Sequence, residues 1–234
     1  MSTTGTPRLR IAVDIGGTFT DMAAFDEATG QLRFGKALST HGQLVNGIQS
    51  TIDSAGIDWR DGNLFLHGST IAINTLLERN GAHTALLITE GFRDIYEIGR
   101  VNRPDAYNLF FNKHQPLVRR SLRFEVAERL RADGSTHKAL DEAAVRALAR
   151  ELKGQKVEAV AVLLLHSYRN PAHEQRVKQI LQEEIPGAFV CASHELSQEY
   201  REFERVSTAV ANAYVGPRVS QYLGQLESHL GGKG

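Results

Sequence analysis

The chain is poor in sulfur, in tryptophan and in net charge. Its 234 residues include one cysteine, one tryptophan, two methionines and six prolines, and its 27 basic and 27 acidic side chains cancel. A lone cysteine, Cys191, closes no internal disulfide, so the fold must rest on its core, as expected in a reducing compartment. It lies in the apolar run FVCAS with no cation beside it to favour a thiolate, and reads as a small buried hydrophobe. The balanced charge excludes the clustered basic excess of a nucleic-acid-binding domain. The densest basic stretch, Arg119, Arg120, Arg123, Arg129 and Arg131, is interleaved with Glu125 and Glu128 and reads as a solvated, salt-linked face. No apolar run approaches the ~20 residues that span a bilayer, and the opening MSTTGTPRLR lacks the apolar centre of a signal peptide. The expectation is a cytoplasmic protein with neither nucleic acid nor membrane as partner. No internal repeat appears, and the P-loop pattern GxxxxGK(S/T) and the dinucleotide turn GxGxxG are both missing. No group of His, Cys or carboxylates stands at metal-ligand spacing, which argues against a structural zinc.

What is present is enough for a core. With 41% of residues hydrophobic, a chain of this size can bury roughly 70–75% of its unfolded surface. Apolar patterning predicts strands at 9–14, 21–26 and 32–37, with Thr29-Gly30 turning between the last two. A helix at 41–55, a strand at 63–67, a helix at 71–79 and a strand at 83–89 follow. Residues 99–118, with Pro104, Pro116 and no period, read as a packed loop. Val145, Leu148 and Leu152 share a helical face. The run 157–165 is apolar nearly throughout, as in a parallel strand covered on both faces. Asn170 caps a helix opening at Pro171, and a strand follows at 188–192. Beyond 198, Phe203, Val206, Val210 and Tyr214 form one helical stripe, and Val219, Leu223, Leu226 and Leu230 a second. Gly216-Pro217 is expected to interrupt them. The second stripe has nothing after it to pack on, which suggests a chain that continues elsewhere or recruits a partner.

One segment carries chemistry: Asp14-Ile-Gly-Gly-Thr-Phe-Thr-Asp21, in the turn between two strands. Gly16 and Gly17 admit backbone angles closed to other residues, so that successive N–H groups converge on an anion, and Thr18 and Thr20 add hydroxyls. Asp14 would repel a phosphate directly. It suits a magnesium-bound water, or a nucleophile whose proton must be accepted. The plainer reading is a Gly-Gly hairpin with polar decoration.

The loop resembles the first phosphate motif of the actin and hexokinase superfamily. The wider chain is similar to the N-terminal region of the hydantoinase A and 5-oxoprolinase family, which includes N-methylhydantoinase and the acetone carboxylase β subunit. The resemblance lies in RIAVDIGGTFTD (10–21), HGSTIAINTLLERNGAHTALLITEGFRD (67–94), EIGRVNRPDAYNL (97–109), EVAERLRADGS from Glu125 and LDE at 140–142. REFERVSTAVANAYVGPRV (201–219) resembles the start of the next domain.

This implies an α/β fold of the actin-like ATPase (ribonuclease H-like) type, a mixed sheet flanked by helices, with the second lobe largely missing. Residues 1–8 would be a disordered N-terminus, 9–195 the N-terminal domain of the family, and 196–234 the truncated helical start of a second domain. It also implies ATP and magnesium as cofactors and a cyclic amide or ketone as substrate. The expected partner is a hydantoinase B-type subunit or a second copy. The phosphate would sit on Gly16, Gly17, Thr18, Thr20 and Asp21, with Asp14 holding magnesium through water.

His67, Ser69, Thr70 and Asn74 would face the reacting group, Asp14 and His67 being the catalytic pair. Without the family, Ser69 or Thr70 is a helix N-cap, and the family usually has His-Gly-Thr-Thr here, so Ser69 replaces a threonine. Arg100 and Arg103 could clamp a carboxylate or phosphate, or be pinned by salt bridges to Asp94 or Glu97. His166, at the end of the apolar strand, reads as a structural histidine, and His173 and His194 as surface residues. A sugar-type kinase of the same fold and a non-catalytic subunit remain alternatives.

Overall fold

The computed structural model describes residues 8–39, 44–102, 105–113 and 115–231. Of the N-terminus expected to be disordered (1–8), residues 1–7 fall outside them, as do the first turn of the helix foreseen at 41–55 and Arg103 and Pro104; Arg8 is described, its N donating to Asp61 O at 2.8 Å. The chain divides into two compact units, one of residues 1–78 with 218–234, the other of 79–217.

The first unit is built on β1 (Leu9–Ile15), β2 (Phe19–Asp26), β3 (Leu32–Leu38) and β4 (Gly62–Ser69), in the spatial order β3-β2-β1-β4. β1 pairs antiparallel with β2 and parallel with β4. Alternation decides the faces: Leu9, Ile11, Val13 and Ile15 are buried, and Arg10, Ala12 and Asp14 point the other way. Against the buried face packs α1 (Leu44–Ser54) through Val45, Ile48 and Ile52. Each such side chain contributes about 1.5–3 kcal/mol when fully buried. The β2–β3 turn forms at Thr29-Gly30 as foreseen, with Gly30 at φ +72°. The buried Asp26 carboxylate closes it by accepting from Ala28 N (2.9 Å) and Thr29 N (3.3 Å). α2 (Ile71–Leu77) follows β4 directly.

The second unit holds β5 (Thr84–Thr89), β6 (Arg123–Val126), β9 (Ala159–Leu163) and β10 (Phe189–Ala192) in the order β10-β9-β5-β6, all parallel. A small hairpin, β7 (Arg129–Leu130) with β8 (Thr136–Lys138), and a short α3 (Ile95–Ile98) were not legible in the sequence. β5 and β9 are buried at every position, as strands covered on both faces must be. Ala85, Leu87, Val160 and Val162 face α4 (Glu142–Gly154) and α5 (Ala172–Glu184). Leu86, Ile88, Ala161 and Leu163 face Val206, Val210 and Ala213 of the long helix α7 (Glu202–Gly231). A one-turn α6 (Ser193–Leu196) precedes it. Pro171, not Asn170, stands immediately before α5; the Asn170 side chain still accepts from Ala172 N at 3.1 Å.

Four local expectations are corrected. α7 runs unbroken through Gly216 and Pro217: the lost hydrogen bond is tolerated because both flanking stretches are anchored in buried cores. Gly216 serves close approach, since a Cβ there would lie 2.4 Å from the Phe189 ring. The second stripe of α7 is rotated, with Tyr222 and Leu226 inserted in the first unit's core while Leu223 is exposed. The basic stretch is not wholly a solvated face. Arg123 is buried, bonded to Val118 O and Glu97, and Glu128 is buried as well. His173 and His194 are not free surface residues: His173 Nδ1 lies 2.6 Å from Glu128, and His194 Nδ1 2.7 Å from Glu174.

Glu174 centres a buried polar network. It accepts from Leu164 N, Ser193 Oγ, His194 N and the His194 ring at 2.6–2.9 Å. Burial alone would push its carboxyl up, but these donors outweigh it and hold the group below its usual range. Arg205, also buried, bonds Ser167 and Ser193, lies 3.5 Å from Glu174, and stacks over Tyr168.

Three stability outcomes follow. Gly35→Ala drives a Cβ to within 2.2 Å of Thr51 O in α1, and should cost about 1–3 kcal/mol in urea unfolding. Gly154→Ala meets open space in α4 and should gain about 0.4–1 kcal/mol in the same measurement. Glu174→Ala leaves Arg205 buried and uncompensated, and should cost about 3–5 kcal/mol; a loss no larger than that of an exposed pair such as Arg176–Glu142 would disprove the assignment.

Candidate functional site

The site lies at the turn where β1 ends and β2 begins. Gly16 N donates to Phe19 O (2.9 Å) and closes the loop. Ser39, just after β3, fastens it from the side. Its N donates to Thr18 O (2.9 Å), and its hydroxyl donates to Gly16 O (2.8 Å) and lies 3.1 Å from Thr20 Oγ1. Gly16 and Gly17 are not in the left-handed region, which corrects the expected reason for the glycines. Space is tight instead: a Cβ on Gly16 would lie 3.2 Å from Phe19 O and one on Gly17 3.3 Å from Asn74 Nδ2, so each neighbour would have to give by a few tenths of an ångström. Among the described residues, no group accepts from the N–H of Gly17 or Thr18, and both residues are exposed. Two successive free amides on a fastened loop form an anion cradle. Thr20 is buried with its hydroxyl on Ser39, and so braces the loop from beneath.

Register sets the carboxylates beside the cradle. Asp14 lies opposite Asp21 on β2 and Gly68 on β4, all on the outer face of the sheet. A Cβ on Gly68 would come within 3.0 Å of Asp14 Oδ1, so that glycine makes room for the carboxylate. Asp21 pairs with Lys36 at 2.9 Å, whereas no described residue donates to Asp14. Two carboxylates side by side on neighbouring strands repel unless a cation or proton intervenes. The donor set suits a hydrated magnesium, which typically takes one or two carboxylates plus phosphate. Among the described residues no cluster of three or more metal-binding side chains exists.

The HGST motif does two different things. Thr70 bonds Ile15 O through its N (3.2 Å) and its hydroxyl (3.3 Å), and receives Asn74 Nδ2 at 3.0 Å. Ser69 Oγ accepts from Ile71 N at 3.2 Å. Ser69, Thr70 and Asn74 therefore stand beside Gly17 at the loop. His67, one residue out of phase with Gly68, lies on the opposite face of the sheet from Asp14. Its Nδ1 is 3.3 Å from Val13 O, which can only accept, so Nδ1 carries the proton and the bare Nε2 accepts from Tyr222 Oη at 2.5 Å. Burial holds the imidazole below its ordinary value, against the opposing effects of the Val13 carbonyl and Asp14, and pushes the Tyr222 phenol up to about 12.

Arg100 belongs to the second unit, where it pairs with Glu204. Asp94 and Glu97, the other partners considered for it, are taken by Arg120 and Arg123. His166 has φ +57° and contacts Tyr168. Cys191 is buried and its thiol is pushed by burial to about 12, as its apolar setting suggested. Sequence reasoning missed Ser39, Lys36 and Tyr222. None sits in a recognisable motif, and each reaches the site only by strand pairing or by the return of α7.

Residues 10–185 match the family model described as the hydantoinase/oxoprolinase N-terminal region. The chain belongs to that family. It is 36% identical over 229 residues to caprolactamase subunit alpha of Pseudomonas jessenii, covering 94% of this chain and 33% of that one. It is 39% identical over 228 residues to an uncharacterized protein of Methanocaldococcus jannaschii, covering 96% of this chain and 34% of the other. Among solved structures, nucleotide-free acetone carboxylase superposes with TM-score 0.84 at 27% identity over 97% of this chain and 35% of its own. The ATP-dependent caprolactamase of Pseudomonas jessenii superposes with TM-score 0.81 at 35% identity, over 94% and 33%. The fold is therefore of the actin-like ATPase type, and the chain spans about a third of the length of these relatives. Among the described residues no helix is long and apolar enough to cross a membrane.

The neutral, doubly bonded His67 has a pH signature. A folded-state value below the ordinary 6.5 means that the unfolded chain binds the proton first as pH falls. The stability contributed is complete above about pH 6.5 and is lost as pH drops toward the folded value. An NMR titration should find the His67 ring titrating below 6.5, and Tyr222→Phe, which removes the donor to Nε2, should raise it. A His67 that titrates at or above 6.5 in the parent protein would contradict the assignment.

Proposed function

We propose that this chain is the phosphate-holding N-terminal part of an ATP-dependent enzyme that phosphorylates the carbonyl oxygen of a small amide or ketone. The observation that supports it most directly is the pair of unclaimed amides, Gly17 and Thr18, on a fastened loop beside the unpaired Asp14. Family membership adds that relatives of this region include an ATP-dependent caprolactamase, 5-oxoprolinases and acetone carboxylase subunits. Phosphate on the oxygen of an amide opens its carbonyl carbon to water, which cleaves the ring C–N bond and releases the phosphate; on a ketone that has lost an α-proton it gives an enol phosphate, whose carbon takes up an activated carboxyl group as the phosphate leaves.

In this reading Gly17 and Thr18, with Gly16 closing the turn, hold phosphate. Asp14, with Asp21 next to it, orients a hydrated magnesium. Ser69, Thr70 and Asn74 present hydroxyl and amide donors beside the same loop. His67 and Thr20 act from beneath the sheet, fixing the ends of β4 and β2. Arg100 and Arg103 remain candidates for substrate recognition. The relatives named as subunits make a hydantoinase B-type partner, or a second copy, the expected company. The site serves a sugar-type kinase equally well by its loop alone, and the family match beyond residue 60 favours the amide or ketone substrate.

Phosphorus NMR of ATP with magnesium tests the cradle on the 234-residue chain. One loop offers few desolvated contacts, so binding should be millimolar or weaker. Gly17→Val, which crowds Asn74 Nδ2 and fills the cradle beside the free amides, should abolish it. In a full-length enzyme carrying this region, Asp14→Asn should lower turnover on the order of a thousandfold with folding unchanged. ATP binding untouched by Gly17→Val, or near-normal turnover with Asp14→Asn, would remove the loop from the mechanism.

A further inference from the structure

The charged groups of the candidate site form one row across the sheet. Register places Gly68 of β4, Asp14 of β1, Asp21 of β2 and Lys36 of β3 side by side, and all four line a single cavity of about 820 Å³. Among the described residues that line it, only Lys36 carries an ammonium or guanidinium group. The ammonium is not confined to the position straight across from Asp21. Its Nζ lies 2.9 Å from Asp21 Oδ1 and 4.6 Å from the centre of the Phe19 ring. Phe19 opens β2 two residues before Asp21, so the lysine head leans along the strand toward the Gly17–Thr18 amides.

The pair with Asp21 is built to be broken. The two side chains are 58% and 57% exposed, and an ion pair in water holds its partners weakly, so the ammonium can exchange one acceptor for another at little cost. As a strand tie it is redundant, because the ladder from Phe19 to Phe25 already joins β2 to β3. A cation shared by Asp14 and Asp21 would satisfy both carboxylates and release the lysine. Phosphate oxygens accept a compact ammonium on a flexible stem as a point charge. Resting on the phosphate-holding reading of the loop, we propose that Lys36 is an exchangeable cation of this site. Its ammonium pairs with Asp21 in the free chain and moves to a phosphate oxygen on the Gly17–Thr18 cradle when phosphate binds. Lys36 is then a ligand-binding residue, and Asp21 holds it in readiness.

The test titrates inorganic tripolyphosphate into the 234-residue chain and reads binding from phosphorus NMR at low ionic strength, where such contacts are least screened. With magnesium present, Lys36→Gln should weaken binding about tenfold, the size of one charge-assisted hydrogen bond at an exposed site. Lys36→Arg should restore most of the loss, and both variants should melt with the parent. Without magnesium, Asp21→Asn frees the ammonium and should tighten binding a few-fold more in the parent than in the Lys36→Gln background. A general loss of negative charge would help both backgrounds alike. In the parent, the Lys36 ε-methylene resonance should shift on adding tripolyphosphate, and Gly17→Val should abolish that shift. Binding lost in Gly17→Val but equal in Lys36→Gln and the parent would overturn the proposal and leave the cradle standing. So would equal gains from Asp21→Asn in both backgrounds. Binding absent from the parent, or indifferent to Gly17→Val, would remove the cradle and the proposal together.

Discussion

β1 is hydrogen-bonded antiparallel to β2 on one edge and parallel to β4 on the other, and this double register fixes the positions of Asp14, Asp21 and Gly68 at the candidate site. Because side chains alternate with a period of two, the same pairing that buries Ile11, Val13 and Ile15 throws Asp14 outward beside Asp21 and over Gly68. A slip of one residue would bury the carboxylate and expose the core side chains. The cost of that exchange, several buried aliphatic side chains and a desolvated charge, holds the acidic pair beside the Gly17–Thr18 amides without any direct bond to either.

The two units solve the problem of burial differently. The second encloses β5 and β9 between α4–α5 and α7, so its polar groups must satisfy one another inside: Glu174 with Ser193 and His194, Glu128 with Thr89 and His173. These networks lie at the carboxyl ends of parallel strands, a location often given to ligands; their carboxylates are held by internal partners, whereas Nε and Nη1 of the buried Arg205 find none among the described residues. The first unit leaves one sheet face open, and there the unpaired carboxylate and the free amides occur.

His67 illustrates how residue type and position diverge. A histidine next to Gly-Ser-Thr invites a catalytic reading, yet its ring is held by Val13 and Tyr222 on the core side of the sheet. Tyr222 arrives on α7 from 155 residues away, a distance over which no local pattern could announce the contact. Thr20 behaves likewise: part of the motif in sequence, it lies on the buried phase of β2.

The sequence by itself determined the longer strands and helices and the Gly-Gly loop. Alternation in LRIAVD, the apolar run before His166 and the glycine pair after Asp14 are local signals, and local signals set local structure. Only the tertiary structure decided the reason for the glycines, which is the approach of Asn74 and Phe19 O rather than a special φ. It also decided the continuity of α7 through Pro217, the burial of Arg123, Glu128 and Arg205, and the assignment of Asp14 and His67 to opposite faces. Each of these depends on which strand lies beside which and on what packs against them, and pairing between distant segments leaves no trace in the periodicity of either one.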